Sequence, residues 1–194
     1  MIKFFSKNLR SDRLVLKHLV PNIQNAKMIY DVLKNEKTAH YKYEHLVQKN
    51  ILPQSLNETL RMMKQYEDWA KNNGTVFYIF YQNKFIGVRR LFYFKEINTL
   101  KFASVWLVFS ARKKGFAQES FCLLENIAFN KLKANRITRV NVTQNKDSEV
   151  LARNLGFHLD GISRQSANID GKFYDLMFWS KLHTEYTKEA KTKK

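Results

Sequence analysis

The sequence holds one cysteine, Cys122, with two prolines and six glycines among 194 residues. A single thiol excludes an internal disulfide framework and any Cys-based zinc cluster. So little Pro and Gly, beside 44% hydrophobic and 14% aromatic residues, excludes collagen-like, low-complexity and disordered classes. Long apolar runs are missing too: none approaches the ~20 residues of a membrane span, and the N-terminus has no secretory pattern. A cytoplasmic protein without a membrane partner is expected. Acid is scarce, with 17 Asp and Glu against 34 Lys and Arg, a formal charge of +17. Such an excess draws anionic partners such as nucleotides, RNA or ribosomes. A Lys-rich coding bias gives the same charge with no ligand, however, and no aromatic-plus-basic RNA motif appears. Nucleic-acid or ribosome association is therefore allowed by the charge and carried by no motif.

What is present is a chain of single-domain length with ample apolar residues for one core. Leu14 and Leu16 alternate with Arg13, Val15 and Lys17 as a first strand, and Pro21 opens a helical stretch to about Asn35. Thr38 to Pro53 has no clear period and reads as a loop or irregular helix. Ser55 and Glu58 have capping-box spacing before Leu56, Leu60, Met63, Tyr66 and Trp69, which recur at helical intervals. Three consecutive antiparallel strands follow in TVFYIFYQ, FIGVRRLFYF and LKFASVWLVF. Phe121, Leu124, Ile127, Ala128 and Leu132 then mark a helix, RITRVNVTQ a strand, and DSEVLARNLG a short helix with Gly156 as its C-cap. Two last strands flank Asp170-Gly171, a strong hairpin signal. The expectation is an α/β (α+β) domain over 1–183 around a mixed, mostly antiparallel twisted sheet of six to seven strands. About four helices flank it, and 184–194 form a basic, flexible tail.

The stretch ARKKGFAQES carries the chemistry. Arg112, Lys113 and Lys114 precede Gly115, where the backbone can turn tightly, and a helix follows whose first amides lack partners. Such a helix start binds phosphate through its N–H groups and dipole. A basic turn that merely opens a helix is the alternative reading. Neither Gly-x-x-x-x-Gly-Lys-Ser/Thr nor Gly-x-Gly-x-x-Gly is present.

Arg-x-x-Gly-x-Ala between a long strand and a helix resembles the acetyl-CoA loop of the GNAT acetyltransferases. Ile86-Gly87, Trp106, Asn145-x-x-Ser148, Leu155-Gly156-Phe157 and GKFYDLMFWS resemble the RimJ/RimL-type branch, the ribosomal-protein N-terminal acetyltransferases. The resemblance runs from about Ser11 to Leu182 and implies the GNAT fold and acetyl-CoA as acyl donor. It implies a cofactor-binding loop opened by Arg112, in which the backbone amides of Lys113, Lys114, Gly115, Phe116, Ala117 and Gln118 hold the pyrophosphate. Val105, Trp106 and Leu107 would pair with the pantetheine arm, and Asn145 would contact it. Trp106 is equally readable as a core aromatic, and Asn145 with Ser148 as a helix cap. The acceptor implied is an amine, such as the N-terminus of a ribosomal protein or other peptide. No metal is implied, and the chain would act as a monomer or homodimer.

Two departures from the family pattern matter. Many relatives place Tyr seven residues after the Asn as general acid; that position is Ala152, which leaves Ser148 as the candidate. Rim-like enzymes often place Glu four residues before the Trp; that position is Phe102. A lysine of pKa about 10.4 spends roughly 4.6 kcal/mol to become neutral at pH 7, whereas an α-amine near 7.8 spends about 1. A site without a strong base therefore favours α-amines. Asp175, His158 and Tyr174 are the remaining candidates for handling the proton, and His40 to His45 the candidate acceptor loop. An inactive acyl-CoA-binding protein and a small-amine or antibiotic acetyltransferase are the alternatives.

Overall fold

The computed structural model describes residues 7–36, 52–71, 74–169 and 171–192; His40 to His45 lie outside them. In chain order the elements are β1 (Leu9–Arg10), β2 (Leu14–Lys17), α1 (Ile23–Leu33), α2 (Leu56–Lys71), β3 (Gly74–Tyr81), β4 (Lys84–Phe94) and β5 (Thr99–Leu107). They continue with α3 (Phe116–Asn126), β6 (Arg136–Val142), α4 (Lys146–Asn154), β7 (His158–Ile169), β8 (Lys172–Leu182) and α5 (His183–Thr192). The strands form one sheet in the order β1-β2-β3-β4-β5-β6-β8-β7. All neighbours are antiparallel except β5 and β6.

Local chemistry explains the boundaries. The Asn22 side chain caps α1 by accepting from Asn25 N at 2.8 Å, so the helix starts two residues after Pro21. Ser55 Oγ accepts from Glu58 N at 3.2 Å, while the Glu58 carboxylate reaches back to Gln54 N at 2.7 Å, one residue beyond the usual box. Gln82 and Asn83 both take positive φ, 48° and 60°, the geometry that matches strand twist in the β3–β4 hairpin. β3 and β4 are buried along nearly their whole length, as strands covered on both faces must be. Successive side chains of a strand point to opposite faces. Arg89 meets Ser120 of α3 and Arg90 stacks on Tyr66 of α2, so α2 and α3 cover opposite sides of the sheet. The rings of Phe121 and Phe157, 5.3 Å apart, bring the end of α4 alongside α3.

Three details differ from the sequence expectation. The eighth strand, β1, spans two residues, too short for any periodic signal. The turn Ile127–Lys131 after α3 is widened, with Leu132 N bonding Ile127 O at 2.9 Å. The charged tail is not a free end: α5 packs the Tyr186 ring against Phe129 at 4.9 Å, and the Tyr186 hydroxyl accepts from Asn130 at 2.9 Å. One aromatic residue in a charged segment docks it. Among the described residues no helix is long and apolar enough to cross a membrane.

Candidate functional site

The sheet opens where its one parallel pair fails. β5 and β6 pair from Thr99↔Arg136 only to Phe102↔Arg139, although β5 continues to Leu107 and β6 to Val142. The cause lies on the other edge of β5. There Arg90 pairs with Ser104 and Leu91 with Phe102, leaving Ala103 as an extra residue. Such a bulge bends its strand. Beyond it β5 leaves β6, and the backbone from Ala103 to Leu107 has β4 on one side and a cleft on the other. The cleft is open to solvent and is lined by Phe102, Val105, Arg89, Arg139, Asn145 and Ser148, among others.

The expected site residues divide between cleft and core. Val105, Asn145 and Ser148 line the cleft. Asn145 also caps α4, accepting from Ser148 N at 3.1 Å, so the cap and the cleft wall share these residues. Trp106 and Leu107 are 4% and 7% exposed, with the Trp106 ring edge-on to Phe85 at 5.8 Å. Their side chains belong to the core. Arg112 does not reach outward: its Nε donates to Leu107 O at 3.1 Å and braces the loop against the end of β5. Lys113 and Gly115 take φ of 57° and 80°, and this left-handed turn delivers the chain into α3. The amides of Phe116, Ala117 and Gln118 form the first turn of α3, where no intrahelical carbonyl exists to bond them. Phe116 itself is buried under Tyr81, with rings 4.7 Å apart, while Lys113, Lys114 and Gln118 are exposed.

Three arginines went unnoticed in the sequence. Arg13 reaches across from the start of β2 to the loop. Its Nε meets Glu119 at 2.6 Å, its Nη1 donates to Lys114 O at 3.2 Å, and its guanidinium lies 4.6 Å above the Phe116 ring. Partial burial opposes ionisation of Glu119, but hydrogen bonds from Ser11 and from the amide and guanidinium of Arg13 outweigh it and hold the carboxyl below its usual range. Arg89, 3% exposed, donates to Ser120 Oγ at 2.9 Å and Ala117 O at 2.8 Å and lies 5.2 Å from the Phe102 ring. Burial, with the like charge of Arg139, lowers its pKa to about 9. Arg139 donates to Ser148 Oγ at 2.5 Å, and burial lowers it to about 10. In the sequence Arg89 and Arg139 sit inside strand patterns and look like the polar half of an alternation. A charged residue within β4, otherwise an unbroken apolar run, was the available signal.

The position that usually carries a base is apolar in fact as well as in pattern. Phe102 packs on Phe121 at 4.8 Å, and Ala152 is fully buried. Asp175, His158 and Tyr174 do not line the cleft; the Asp175 carboxylate accepts from Gln165 N at 2.8 Å within the β7–β8 hairpin. His183 stacks on Phe129 at 5.6 Å, and among the described residues no cluster could hold a metal ion.

A sheet of this order, splayed at its single parallel pair beside a left-handed turn into a helix, defines a class that comparison with known proteins identifies. Residues 13–158 match the acetyltransferase (GNAT) domain model. The chain belongs to the GNAT acetyltransferase family. It is 25% identical over 126 residues, 63% of this chain and 69% of the relative, to the "Putative ribosomal N-acetyltransferase YdaF" of Bacillus subtilis (strain 168). Among solved structures, the ribosomal L7/L12 α-N-protein acetyltransferase RimL in complex with coenzyme A superposes with a TM-score of 0.76 at 18% identity, covering 91% of this chain and 98% of that one. The microcin C7 self-immunity acetyltransferase MccE, in complex with acetyl-CoA and AMP, gives a TM-score of 0.75 at 20% identity over 89% and 93%. At these identities the structural likeness speaks for the fold.

Proposed function

We propose that the chain transfers the acetyl group of acetyl-CoA to the α-amine of a protein or peptide, a ribosomal protein being the favoured class. The carrying observation is the β5–β6 splay with Asn145 and Ser148 on one wall and the Gly115 turn beyond it. An extended pantetheine arm fits the free edge of β5 as an added strand would, accepting and donating main-chain hydrogen bonds. The first-turn amides of α3 and the positive end of its dipole suit a pyrophosphate. Lys113 and Lys114 add attraction from the surface. An N–H of the β5 edge is placed to stabilise the oxyanion as the neutral amine attacks the thioester.

The acceptor class follows from the missing base. With Phe102 beside the reacting centre, the enzyme depends on amines that are already neutral in part at pH 7, which α-amines are and lysine side chains are not. YdaF and RimL, named for ribosomal substrates, support the same choice. Two measurements test the reading. Calorimetry is expected to show micromolar acetyl-CoA binding that Gly115→Glu abolishes, because an acidic side chain at φ 80° strains the turn and repels phosphate. A panel of N-terminal peptides and small amines, followed by CoA release, is expected to show turnover on α-amines first.

The second reading is a GNAT-fold protein that binds acyl-CoA with little or no transfer. The apolar residues Phe102 and Ala152 favour it. Tight acetyl-CoA binding with no CoA release on any amine in that panel would establish it.

A further inference from the structure

Two cations line the cleft, Arg89 buried and Arg139 half-buried, with no acid to answer them among the described residues. Arg89 is held by Ser120 Oγ and Ala117 O, and Arg139 by Ser148 Oγ; among the described residues neither meets a carboxylate. Burying an unpaired charge costs several kcal/mol. Of the other ionisable groups on the flanking helices only Cys122 acts on Arg89, favouring its charge less than burial opposes it, and Glu125 of α3 is tied to Lys181. Glu119 on α3 is tied to Arg13, and Glu149 on α4 to Lys146 and Arg153. Asp147 and Cys122 are exposed, and neither lines the cleft. The described walls of the cleft thus carry an uncompensated positive potential, and a fold keeps such a cost where an anion arises.

We propose that Arg139, with Arg89 beside it, makes this cleft a thiolate site. The inference rests on the reading of the chain as a CoA-dependent acyltransferase. The amine nitrogen bonds to the thioester carbon, the C–S bond breaks, and its electron pair passes to sulfur. The nitrogen's proton goes to solvent water. Family members with Tyr at the position of Ala152 protonate the sulfur; here the leaving group departs as the anion. Ser148 cannot replace that acid by giving up its proton, because an alkoxide is a far stronger base than a thiolate. It donates a hydrogen bond instead. Arg139 occupies a lone pair of Ser148 Oγ, and Asn145 fixes the backbone N–H of Ser148. The hydroxyl hydrogen, which meets no protein acceptor among the described residues, is thereby left for a ligand in the cleft that Ser148 lines. Arg139 is a positioning residue acting through Ser148, and the two guanidinium charges lower the energy of the sulfur anion.

A thiolate site binds free CoA more tightly as pH rises towards the thiol's own pKa, about 8.5 for a cysteine-like thiol. Desulfo-CoA, which lacks the sulfur, reports every other titration in the protein and the phosphates. Calorimetry of both ligands from pH 6.5 to 9 is therefore the test. Lowering the bound thiol by about 1.5 units makes the CoA-to-desulfo-CoA affinity ratio rise about tenfold or more over that range. In Arg139→Met the rise is expected to shrink below about threefold, and Arg139→Lys, which keeps charge but loses the fork, to restore part of it. A flat ratio in the unaltered protein overturns the proposal whatever the variants do, as does a full rise in a folded Arg139→Met. If desulfo-CoA itself does not bind, the CoA reading beneath the proposal falls. If desulfo-CoA binds and the ratio stays flat, only the thiolate site does.

Discussion

Replacing Gly87 by alanine should damage stability and ligand binding through one displacement. Gly87 pairs with Leu107 across the β4–β5 ladder. A Cβ there would lie 2.2 Å from Trp106 O, 2.7 Å from Leu107 Cδ2 and 3.0 Å from Leu107 Cα. A carbon approaches a carbonyl oxygen no closer than about 3.3 Å without repulsion, so β5 must retreat by about 1 Å. Backbone cannot rotate away as a side chain can. The free edge of β5 lets it yield into the cleft, which limits the strain to the usual overpacking cost of about 1–3 kcal/mol. At about 2 kcal/mol a domain of this size loses roughly 4–8 °C in Tm. The same retreat moves the edge from Ala103 to Leu107, and acetyl-CoA affinity should fall at least several-fold. Gly161→Ala is the control. Nothing lies within 4 Å of its new Cβ, and a compatible Gly→Ala change stabilises by about 0.4–1 kcal/mol through the unfolded chain. Thermal melts at fixed pH, with calorimetry at a temperature where both variants are folded, read both effects. Equal Tm values for the two variants would refute the steric argument. A lowered Tm with unchanged acetyl-CoA affinity would refute the link to the cleft.

Arg13→Ala removes the partner that holds Glu119 and the brace on Lys114 O, so acetyl-CoA should bind several-fold more weakly, as calorimetry would read. Because the folded Glu119 carboxyl lies below its unfolded value near 4.5, its contribution is present above that pH and is lost as pH falls through the folded value. Urea unfolding should therefore separate the parent and Arg13→Ala at neutral pH and bring them together as pH falls through the folded value below 4.5. Lys181, 2% exposed, pairs with Glu125 at 2.9 Å and Leu155 O at 3.0 Å. Lys181→Met should cost about 3–5 kcal/mol by leaving the buried acid, and adding Glu125→Leu should recover most of it in the same melts. Among acceptors, the lysine-to-α-amine rate ratio should rise with pH between 7 and 9, since the neutral fraction of the α-amine levels off above its pKa of about 7.8 while that of lysine keeps rising about tenfold per pH unit.

The long elements were legible because their signals are local. The strands of the β3–β5 meander, the hairpin at Gly171 and the helix after Gly115 follow from periodicity, positive-φ residues and caps, and each stands close to its expected place. The pair Asn145 and Ser148 was legible as a cap and, through family pattern, as a cleft pair; the cap bond and the cleft wall are the same residues. Side-chain direction was less legible. Trp106 fits a strand either way, and only packing against Phe85 places its ring in the core. Nor does residue type show that the Arg112 guanidinium turns back to brace the loop at Leu107 O.

The amino-acid sequence by itself determined the order of elements and the left-handed turn at Gly115, because each depends on residue type and spacing along a few turns of chain; it also puts the apolar Phe102 where the resemblance implies Glu. The tertiary structure alone decided which charges meet. Arg13 and Glu119 are 106 residues apart, and Arg89 reaches Ser120 across 31. Arg139 finds Ser148 because β6 and α4 fold together at the splay. Such pairings come from sheet order and from the bulge at Ala103, where the ladder to β4 holds and the ladder to β6 gives way.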